Sequence, residues 1–321
     1  MNNNISCDNL LDTVRNYSGI VVDSSDFKSI GKFNSVDATT NPSLILRTVE
    51  NNSYTDFIES IKNNFPQLDA ENLANEVAIS FAKEILKIIP GRVSIEINAK
   101  YAFDSQSTEY EARKIVDLCY KRNLDTKRVL IKIPATWQGI SAARTLEKKS
   151  ICCNLTLLFC PIQALACADA GVKLISPFVG RISDWWKKNG KKWSDANQDP
   201  GVKFVRSIFL EFKKRKFVTE IMGASFRSVD QIVALAGIDL ITISPDLLSS
   251  LMKLPPKKNL SEWRKNKSFS SEQFYRVNSI KSVSKPVFDS ELSNDEMAHQ
   301  KLLEGIKSFE SDGMKLLKLL A

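Results

Sequence analysis

Residues 128–134, Arg-Val-Leu-Ile-Lys-Ile-Pro, form a short apolar run of strand length, and the segment that follows them has helical spacing. The same unit recurs along the chain, so that apolar runs alternate with amphipathic segments. The eight runs cover residues 19–23, 35–40, 92–98, 128–134, 151–159, 172–178, 217–225 and 239–245. Alternating strands and helices predict parallel pairing with right-handed crossovers, and eight such units favour closure into a barrel. We therefore expect an α/β protein with a (βα)8 TIM-barrel fold.

The length and composition of the chain allow one large core, because it has 321 residues of which 43% are hydrophobic. We expect a single domain over residues 1–321. An extra helix is expected before the barrel, and a polar, turn-rich excursion at the surface is expected at residues 186–201. A last amphipathic helix, at about residues 294–320, is expected to pack across the barrel.

The composition argues against several classes of site. The chain has one histidine, His299, so a Ser-His-Asp triad, a Cys-His pair or a His-rich metal site would have to use that residue. The sequence has neither an apolar run long enough to span a membrane nor a signal-peptide pattern, which predicts a cytoplasmic protein. The net charge of +8 is spread along the chain and fits small anionic substrates better than nucleic acid.

Lys132 places an ammonium group in the middle of an apolar strand, where a buried charge is unfavourable. One interpretation is a lysine near a strand end that extends its amine to water. The other is an amine held partly in its neutral form, as a nucleophile for a carbonyl requires. In the third run, strict alternation places Ser94, Glu96 and Asn98 on one face. Both faces of a parallel barrel are covered, so Glu96 is expected to point into the barrel mouth beside Lys132.

Other polar residues occur where strands end or where they should be apolar. Asp23 ends the first run, where an acid is also a common helix cap or turn residue. Three ionisable groups, Asp23, Glu96 and Lys132, at the ends of barrel strands favour a catalytic site. Asn154 and Thr156 lie inside the fifth run, where an unpaired amide is unfavourable, so a ligand or a neighbouring group is expected to satisfy it.

Two arginines follow the sixth and seventh runs. Arg181 and Arg227 lie near the expected starts of helices, where the positive end of the helix dipole disfavours a cation. A shared anion would remove this conflict. With Ser225 and the amides at the helix starts, the two arginines therefore predict a phosphate site, although each arginine taken singly is more often a surface residue.

Five segments of the chain resemble motifs of the transaldolase family, in the order and at the spacing of that family, and the resemblance extends from about residue 8 to the C-terminus. The segments are DATTNPSLIL at residues 37–46, LIKIPATWQGI at 130–140, NLTLLF at 154–159, SPFVGRI at 176–182 and MGASFR at 222–227. The resemblance implies reversible transfer of a dihydroxyacetone unit through a lysine Schiff base, without a metal or organic cofactor. The implied donors are sedoheptulose 7-phosphate and fructose 6-phosphate, and the implied acceptors are glyceraldehyde 3-phosphate and erythrose 4-phosphate, in the non-oxidative pentose phosphate pathway.

The resemblance also implies roles for individual residues. Lys132 matches the Schiff-base lysine, and Asp23 matches the group that exchanges a proton with the C4 hydroxyl. Glu96 matches the acid/base that acts through a water held near Thr156. The residues matched to substrate binding are Asn41, Thr39, Asn154, Ser176, Phe178, Arg181, Ser225 and Arg227. The expected partners are sugar phosphates, with neither nucleic acid nor a membrane, and a homodimer is a candidate assembly.

Two alternative functions stay open. A fructose 6-phosphate aldolase would share the lysine and the fold but would release free dihydroxyacetone. The chain length, the extra N-terminal helix, Phe178 and Glu96 argue against it. A catalytically silent sugar-phosphate binder would be favoured if the lysine, the glutamate or the aspartate were missing, and all of them are present.

Overall fold

Eight parallel strands close into a barrel in sequence order in the computed structural model, which describes residues 7–265, 280 and 282–321. The strands are β1 (Gly19–Asp23), β2 (Asp37–Thr39), β3 (Val93–Glu96), β4 (Val129–Pro134), β5 (Cys153–Leu158), β6 (Leu174–Pro177), β7 (Glu220–Gly223) and β8 (Leu240–Ile243). Each strand lies within the run predicted for it, so the predicted TIM barrel is confirmed. Residues 1–6, 266–279 and 281 of the range expected for the domain lie outside the described residues.

Helices follow the strands around the barrel, and thirteen α-helices occur among the described residues. They are α1 (Leu10–Arg15), α2 (Pro42–Val49), α3 (Thr55–Asn64), α4 (Ala70–Ile88), α5 (Ser105–Lys121), α6 (Trp137–Lys148), α7 (Pro161–Asp169), α8 (Val179–Lys188), α9 (Pro200–Arg215), α10 (Val229–Leu235), α11 (Pro245–Met252), α12 (Lys285–Ser293) and α13 (Glu296–Leu320). Helix α1 is the predicted N-terminal helix. The predicted excursion begins later than expected, because α8 continues to Lys188 before the chain turns.

Helix α13 lies across the C-terminal end of the barrel, as predicted for the last helix. It contacts α2 and α4 on one side of the mouth and β5 and α8 on the other. Gly305 allows this close approach, because a Cβ built there would lie 2.6 Å from Cδ2 of Leu157. Helix α13 therefore completes the wall above the strand ends. In the described part of the chain, no helix is both long and apolar enough to cross a membrane.

The interior of the barrel changes from apolar to polar along the strands. Its apolar layer is a buried cluster formed by Val21, Leu130, Leu174, Met222 and Leu240. Nearer the C-terminal ends of the strands, the inward side chains are polar. In most barrels of this kind, the interior is instead filled by packed apolar side chains. This polar layer marks the end of the barrel where functional groups collect.

Strand β5 contains a bulge in this polar layer. Its register against β6 shifts between Thr156 and Leu158, and Leu157 adopts a left-handed backbone with φ of 58°. The side-chain amide of Gln163 donates a hydrogen bond to the Leu157 carbonyl at 3.0 Å, which helps to hold this conformation. A strained residue of this kind typically costs about 1–3 kcal/mol and persists where the surroundings impose it. The bulge interrupts the regular pairing after Thr156, and pairing resumes at Leu158.

Candidate active site

Lys132 and Glu96 form a buried ion pair inside the barrel. The two residues are aligned in register on β4 and β3, and Lys132 Nζ lies 2.8 Å from Glu96 Oε2. Their side chains are only 5% and 1% exposed. The amine also donates a hydrogen bond to the carbonyl oxygen of Thr40 at 3.3 Å. The alternative in which Lys132 extends to water is therefore wrong, and Glu96 points beside it as predicted.

Burial controls the electrostatics of this pair. It raises the pKa of Glu96, and the positive charge of Lys132 opposes that shift. Burial is unfavourable for two charges unless their contact compensates for lost hydration. Transfer of one proton across the 2.8 Å contact would leave a neutral amine and a neutral carboxylic acid. The arrangement can therefore supply the amine in the form that attacks a carbonyl.

Asp23 is the second carboxyl of the site, and it is half-buried. Burial raises its pKa, while the charge of Lys132 and a hydrogen bond from Thr39 oppose the shift. Thr39 is aligned with Asp23 across β1 and β2, and its hydroxyl donates to Asp23 Oδ1 at 2.7 Å. The same Thr39 hydroxyl lies 2.6 Å from that of Thr242 on β8. The hydrogen bond from Thr39 thus holds Asp23 in position.

Asn154 lies at the centre of a polar chain that crosses the barrel interior. Its amide nitrogen donates to Ser94 Oγ at 3.0 Å, and Ser176 Oγ donates to its amide oxygen at 2.6 Å. Neighbouring side chains therefore provide the partners expected for this buried amide.

Among the described residues, Thr156 Oγ1 and Glu96 Oε1 are buried without a hydrogen-bond partner. Such groups are normally satisfied by a ligand or an ordered water.

A cavity of about 330 Å³ opens above these residues, and we call it the mouth cavity. Its wall contains nine of the twelve predicted site residues, namely Asp23, Thr39, Asn41, Lys132, Ser176, Phe178, Arg181, Ser225 and Arg227. Glu96, Asn154 and Thr156 are not part of that wall and lie inside the barrel. The structure thus brings all twelve residues to one end of the barrel. In the described part of the chain, no three His, Cys, Asp or Glu side chains are grouped to hold a metal ion.

Asn41 has both a structural and a potential binding role. Its side-chain oxygen accepts a hydrogen bond from the Leu44 amide at 2.9 Å and so caps the start of α2, with Pro42 as the first helical residue. The cap fixes the orientation of the side chain. Its amide group consequently lines the mouth cavity in a defined direction.

Arg181 and Arg227 form the cationic side of the mouth cavity. The Arg181 guanidinium stacks over the rings of Phe178 and Phe309, at 4.9 and 5.3 Å from their centroids. Within the described residues Arg181 makes no salt bridge, and burial together with the charge of Arg227 lowers its pKa. Arg227 is paired with Asp184 at 2.9 Å, and its Nη1 lies 3.2 Å from Ser225 Oγ. Two neighbouring cations with one carboxylate partner leave room for an anion.

Three amides near the helix starts are already hydrogen-bonded within the protein. The Val179 and Gly180 amides at the start of α8 donate to the carbonyl oxygens of Ala224 and Ser225, both at 2.9 Å. The Arg227 amide donates to Gln231 Oε1 at 2.8 Å. These bonds join the β6 and β7 loops to each other and to α10. These three amides are therefore not free for an anion, whereas the two arginines and Ser225 line the mouth cavity.

Sequence reasoning missed several residues that line the mouth cavity. Thr242 and Ser244 alternate with apolar residues on β8 and just after it, so the period-two pattern that identified Glu96 could have identified them. Ser308, Phe309 and Asp312 reach the cavity from α13. No local pattern indicates these three, because their position depends on how α13 docks on the barrel.

One comparison with known proteins bears on this site. A family model described as Transaldolase/Fructose-6-phosphate aldolase matches residues 20–320 of the chain. The matched range contains the eight strands except Gly19, the first residue of β1, together with helix α13 and all twelve residues that the sequence predicted for the site.

Proposed function

The chain belongs to the transaldolase/fructose-6-phosphate aldolase family, and we propose that within this enzyme family it is a transaldolase acting through a Schiff base on Lys132. The observation that carries the proposal is the buried Lys132–Glu96 pair, which borders a cavity whose other side carries two arginines. The proposed substrates are the sugar phosphates named above, the proposed setting is the pentose phosphate pathway of the cytoplasm, and a homodimer is the proposed assembly.

Schiff-base formation is the first proposed step. The neutral amine of Lys132 attacks the C2 carbonyl of a ketose phosphate, and the resulting carbinolamine carries a hydroxyl group on C2. Glu96 in its acid form gives that hydroxyl a proton through a water held near Thr156. The hydroxyl leaves as water while the nitrogen lone pair forms the C=N bond. The raised pKa of Glu96, caused by burial, supports this acid role.

Carbon–carbon cleavage is the second proposed step. Asp23 accepts the proton of the C4 hydroxyl, the C3–C4 bond breaks, and its electrons move into the iminium to give an enamine. Asn41, Asn154 and Ser176 hold the hydroxyl groups of the remaining three-carbon unit. An acceptor aldehyde then reverses these steps, with Asp23 returning the proton to the new hydroxyl.

Transfer requires that the enamine survive until the acceptor arrives. Phe178 is 6% exposed, and the Phe309 ring centroid lies 5.9 Å from Lys132 Nζ. These two rings supply an apolar cover, with no proton donor of their own, on the side of the site that faces the mouth cavity. This cover supports transfer over the simple aldolase reaction, in which water protonates the enamine and dihydroxyacetone is released.

The test of the proposal separates transfer from cleavage. With fructose 6-phosphate and erythrose 4-phosphate, the protein should form glyceraldehyde 3-phosphate at a rate that depends on the acceptor. Borohydride reduction with fructose 6-phosphate should attach a three-carbon adduct to Lys132. Release of free dihydroxyacetone without acceptor would instead identify an aldolase. An unmodified Lys132 peptide with full activity would refute the Schiff base.

Replacing Arg227 with alanine should selectively weaken phosphorylated substrates. Loss of a charge-assisted contact is expected to raise KM for fructose 6-phosphate by about 10- to 100-fold. The adduct yield with unphosphorylated dihydroxyacetone should change by less than about twofold, since no phosphate is present. Arg113→Ala is a matched control, because Arg113 is 44% exposed and paired with a glutamate, and Arg227 is 42% exposed and paired with Asp184. Equal losses for both kinds of substrate would reject the phosphate role.

The fall in rate on the acid side of the pH–rate profile, its acid limb, should reflect protonation of Asp23. A base must be ionised to accept a proton, and burial raises the Asp23 pKa, so kcat/KM should fall with decreasing pH above the usual range of an aspartate. Thr39→Val removes the hydrogen bond that lowers this pKa and should move the limb to higher pH. Thr242→Val, which leaves that bond in place, is the control for the position of the limb. A limb that stays in place in Thr39→Val would argue against Asp23 as the base.

A further inference from the structure

A second, smaller cavity of about 50 Å³ lies behind Glu96, between β3, α4, α5 and α13, and we call it the rear cavity. Its wall includes Glu96, Asn98, Asn75, Glu111 and Gly313. A cavity of roughly 10–15 Å³ on this measure holds one water molecule, so the rear cavity has room for a few. Its size thus suits water rather than a sugar.

The Lys132–Glu96 pair connects the two cavities. Lys132 lines the mouth cavity, Glu96 lines the rear cavity, and Asn41 borders both. The buried Glu96 Oε1 has no hydrogen-bond partner among the residues that the structure describes. A buried carboxyl oxygen of this kind calls for a ligand that can donate a hydrogen bond, and water is the ligand that fits the space.

Polar side chains line one side of the rear cavity between Glu96 and the protein surface, and the other side is apolar, with Ile45, Leu316 and Leu317. Asn75 donates a hydrogen bond to the buried Glu111 Oε1 at 2.5 Å. Glu71, which also lines the cavity, accepts hydrogen bonds from Lys100 Nζ and the Tyr101 hydroxyl, both at 2.7 Å. Glu71 and Lys100 are 33% and 37% exposed, so this end reaches solvent. The polar side of the wall can therefore hydrate a path from the surface to Glu96.

The chemistry proposed for Lys132 requires such a path. Carbinolamine dehydration breaks the C2–O bond, transfers the Glu96 proton to the departing hydroxyl and produces one water, and hydrolysis of the product Schiff base consumes one. During both steps the sugar would fill the mouth cavity, with its phosphate at the arginines and Phe309 above it. We propose that the rear cavity delivers and removes this water, with Glu96 as the group that protonates or deprotonates it. This inference rests on the proposed function.

Gly313 offers a way to block the rear cavity without touching the mouth cavity. It lies within α13 and is not among the glycines with a left-handed backbone, and the nearest atom to a Cβ built there is Asn98 Oδ1 at 4.0 Å. Gly313→Leu should project its side chain into the rear cavity. Gly313→Ala adds only the Cβ and is the control, since both changes favour the helix relative to glycine. If the leucine variant does not fold, Gly313→Met, which is more flexible, takes its place.

The measurement is exchange of the C2 oxygen of fructose 6-phosphate with 18O-labelled water, without an acceptor and corrected for exchange without enzyme. Gly313→Leu should slow exchange by about tenfold relative to wild type and Gly313→Ala, while the equilibrium amount of borohydride-trapped adduct is unchanged. Exchange at the wild-type rate in the leucine variant would overturn the water route and leave the Schiff base intact. A parallel loss of exchange and trapped adduct would also overturn it, because the site itself would be distorted. If the wild-type protein neither traps nor exchanges, the proposed function fails and the water route fails with it.

Discussion

Lys132→Met is expected to abolish the borohydride-trapped adduct and to lower kcat/KM for transfer by at least about 10⁴-fold, the scale seen when a covalent nucleophile is removed. The thioether of methionine cannot form an imine with a ketose. The other polar groups at the barrel mouth are hydroxyls, amides, carboxyls and guanidinium groups, none of which replaces a primary amine. Mass spectrometry of the reduced protein and the coupled transfer assay measure the two effects.

Glu96 complicates the interpretation of this variant. Removing Lys132 leaves a carboxyl that is 1% exposed without its cation, and breaking a buried pair typically costs about 3–5 kcal/mol. Burial already raises the pKa of Glu96, so the carboxyl can relieve this cost by taking up a proton. The double variant Lys132→Met with Glu96→Gln should therefore fold at least as well as the single variant and be equally inactive. Adduct on another lysine of the folded variant would show that the nucleophile had been misassigned.

Glu96→Gln is the second variant with a large expected effect. Glutamine keeps the shape of the side chain but cannot donate or accept the proton, so kcat should fall by about 10²- to 10⁴-fold. The amine of Lys132 remains, so borohydride trapping should reach an adduct level similar to wild type, but more slowly. Time-resolved trapping with fructose 6-phosphate shows whether Schiff-base formation has become slower or has been abolished.

Glu76→Gln provides a matched control for this change. Glu76 is 2% exposed and paired with Arg122 at 2.6 Å, outside the barrel interior. Its replacement therefore tests the loss of a buried, paired carboxylate without altering the mouth or rear cavity. Wild-type trapping kinetics in Glu96→Gln would contradict the acid/base role, and a loss of the same size in Glu76→Gln would assign the effect to folding.

The barrel could be predicted from the sequence because its signals are local. Each run of apolar residues marks a strand, and closure of a parallel sheet then forces the polar face of β3 inward. The prediction that Glu96 lies beside Lys132 needed only the two strand positions and the strand order. Residues on neighbouring parallel strands are fixed relative to one another by backbone pairing.

Contacts that depend on docking could not be predicted in this way. Phe309 reaches Lys132, and Asp312 accepts a hydrogen bond from Ser43 at 2.5 Å, only because α13 crosses the mouth. The Val179 and Gly180 amides at the start of α8 donate hydrogen bonds to carbonyl oxygens of the loop after β7. The prediction that these amides bind a phosphate did not take those bonds into account. Loop contacts of this kind arise from tertiary packing, which residue spacing does not encode.

The chain from Ser94 through Asn154 to Ser176 restricts how this protein can evolve. Each member supplies the hydrogen-bond partner of the next across three different strands. A single apolar replacement would leave a buried donor or acceptor unpaired, at a penalty of about 1–3 kcal/mol, whereas replacing partners together can be nearly neutral. As far as stability is concerned, changes at these positions therefore have to proceed through coupled substitutions, and lineages that diverge here should change the positions in concert.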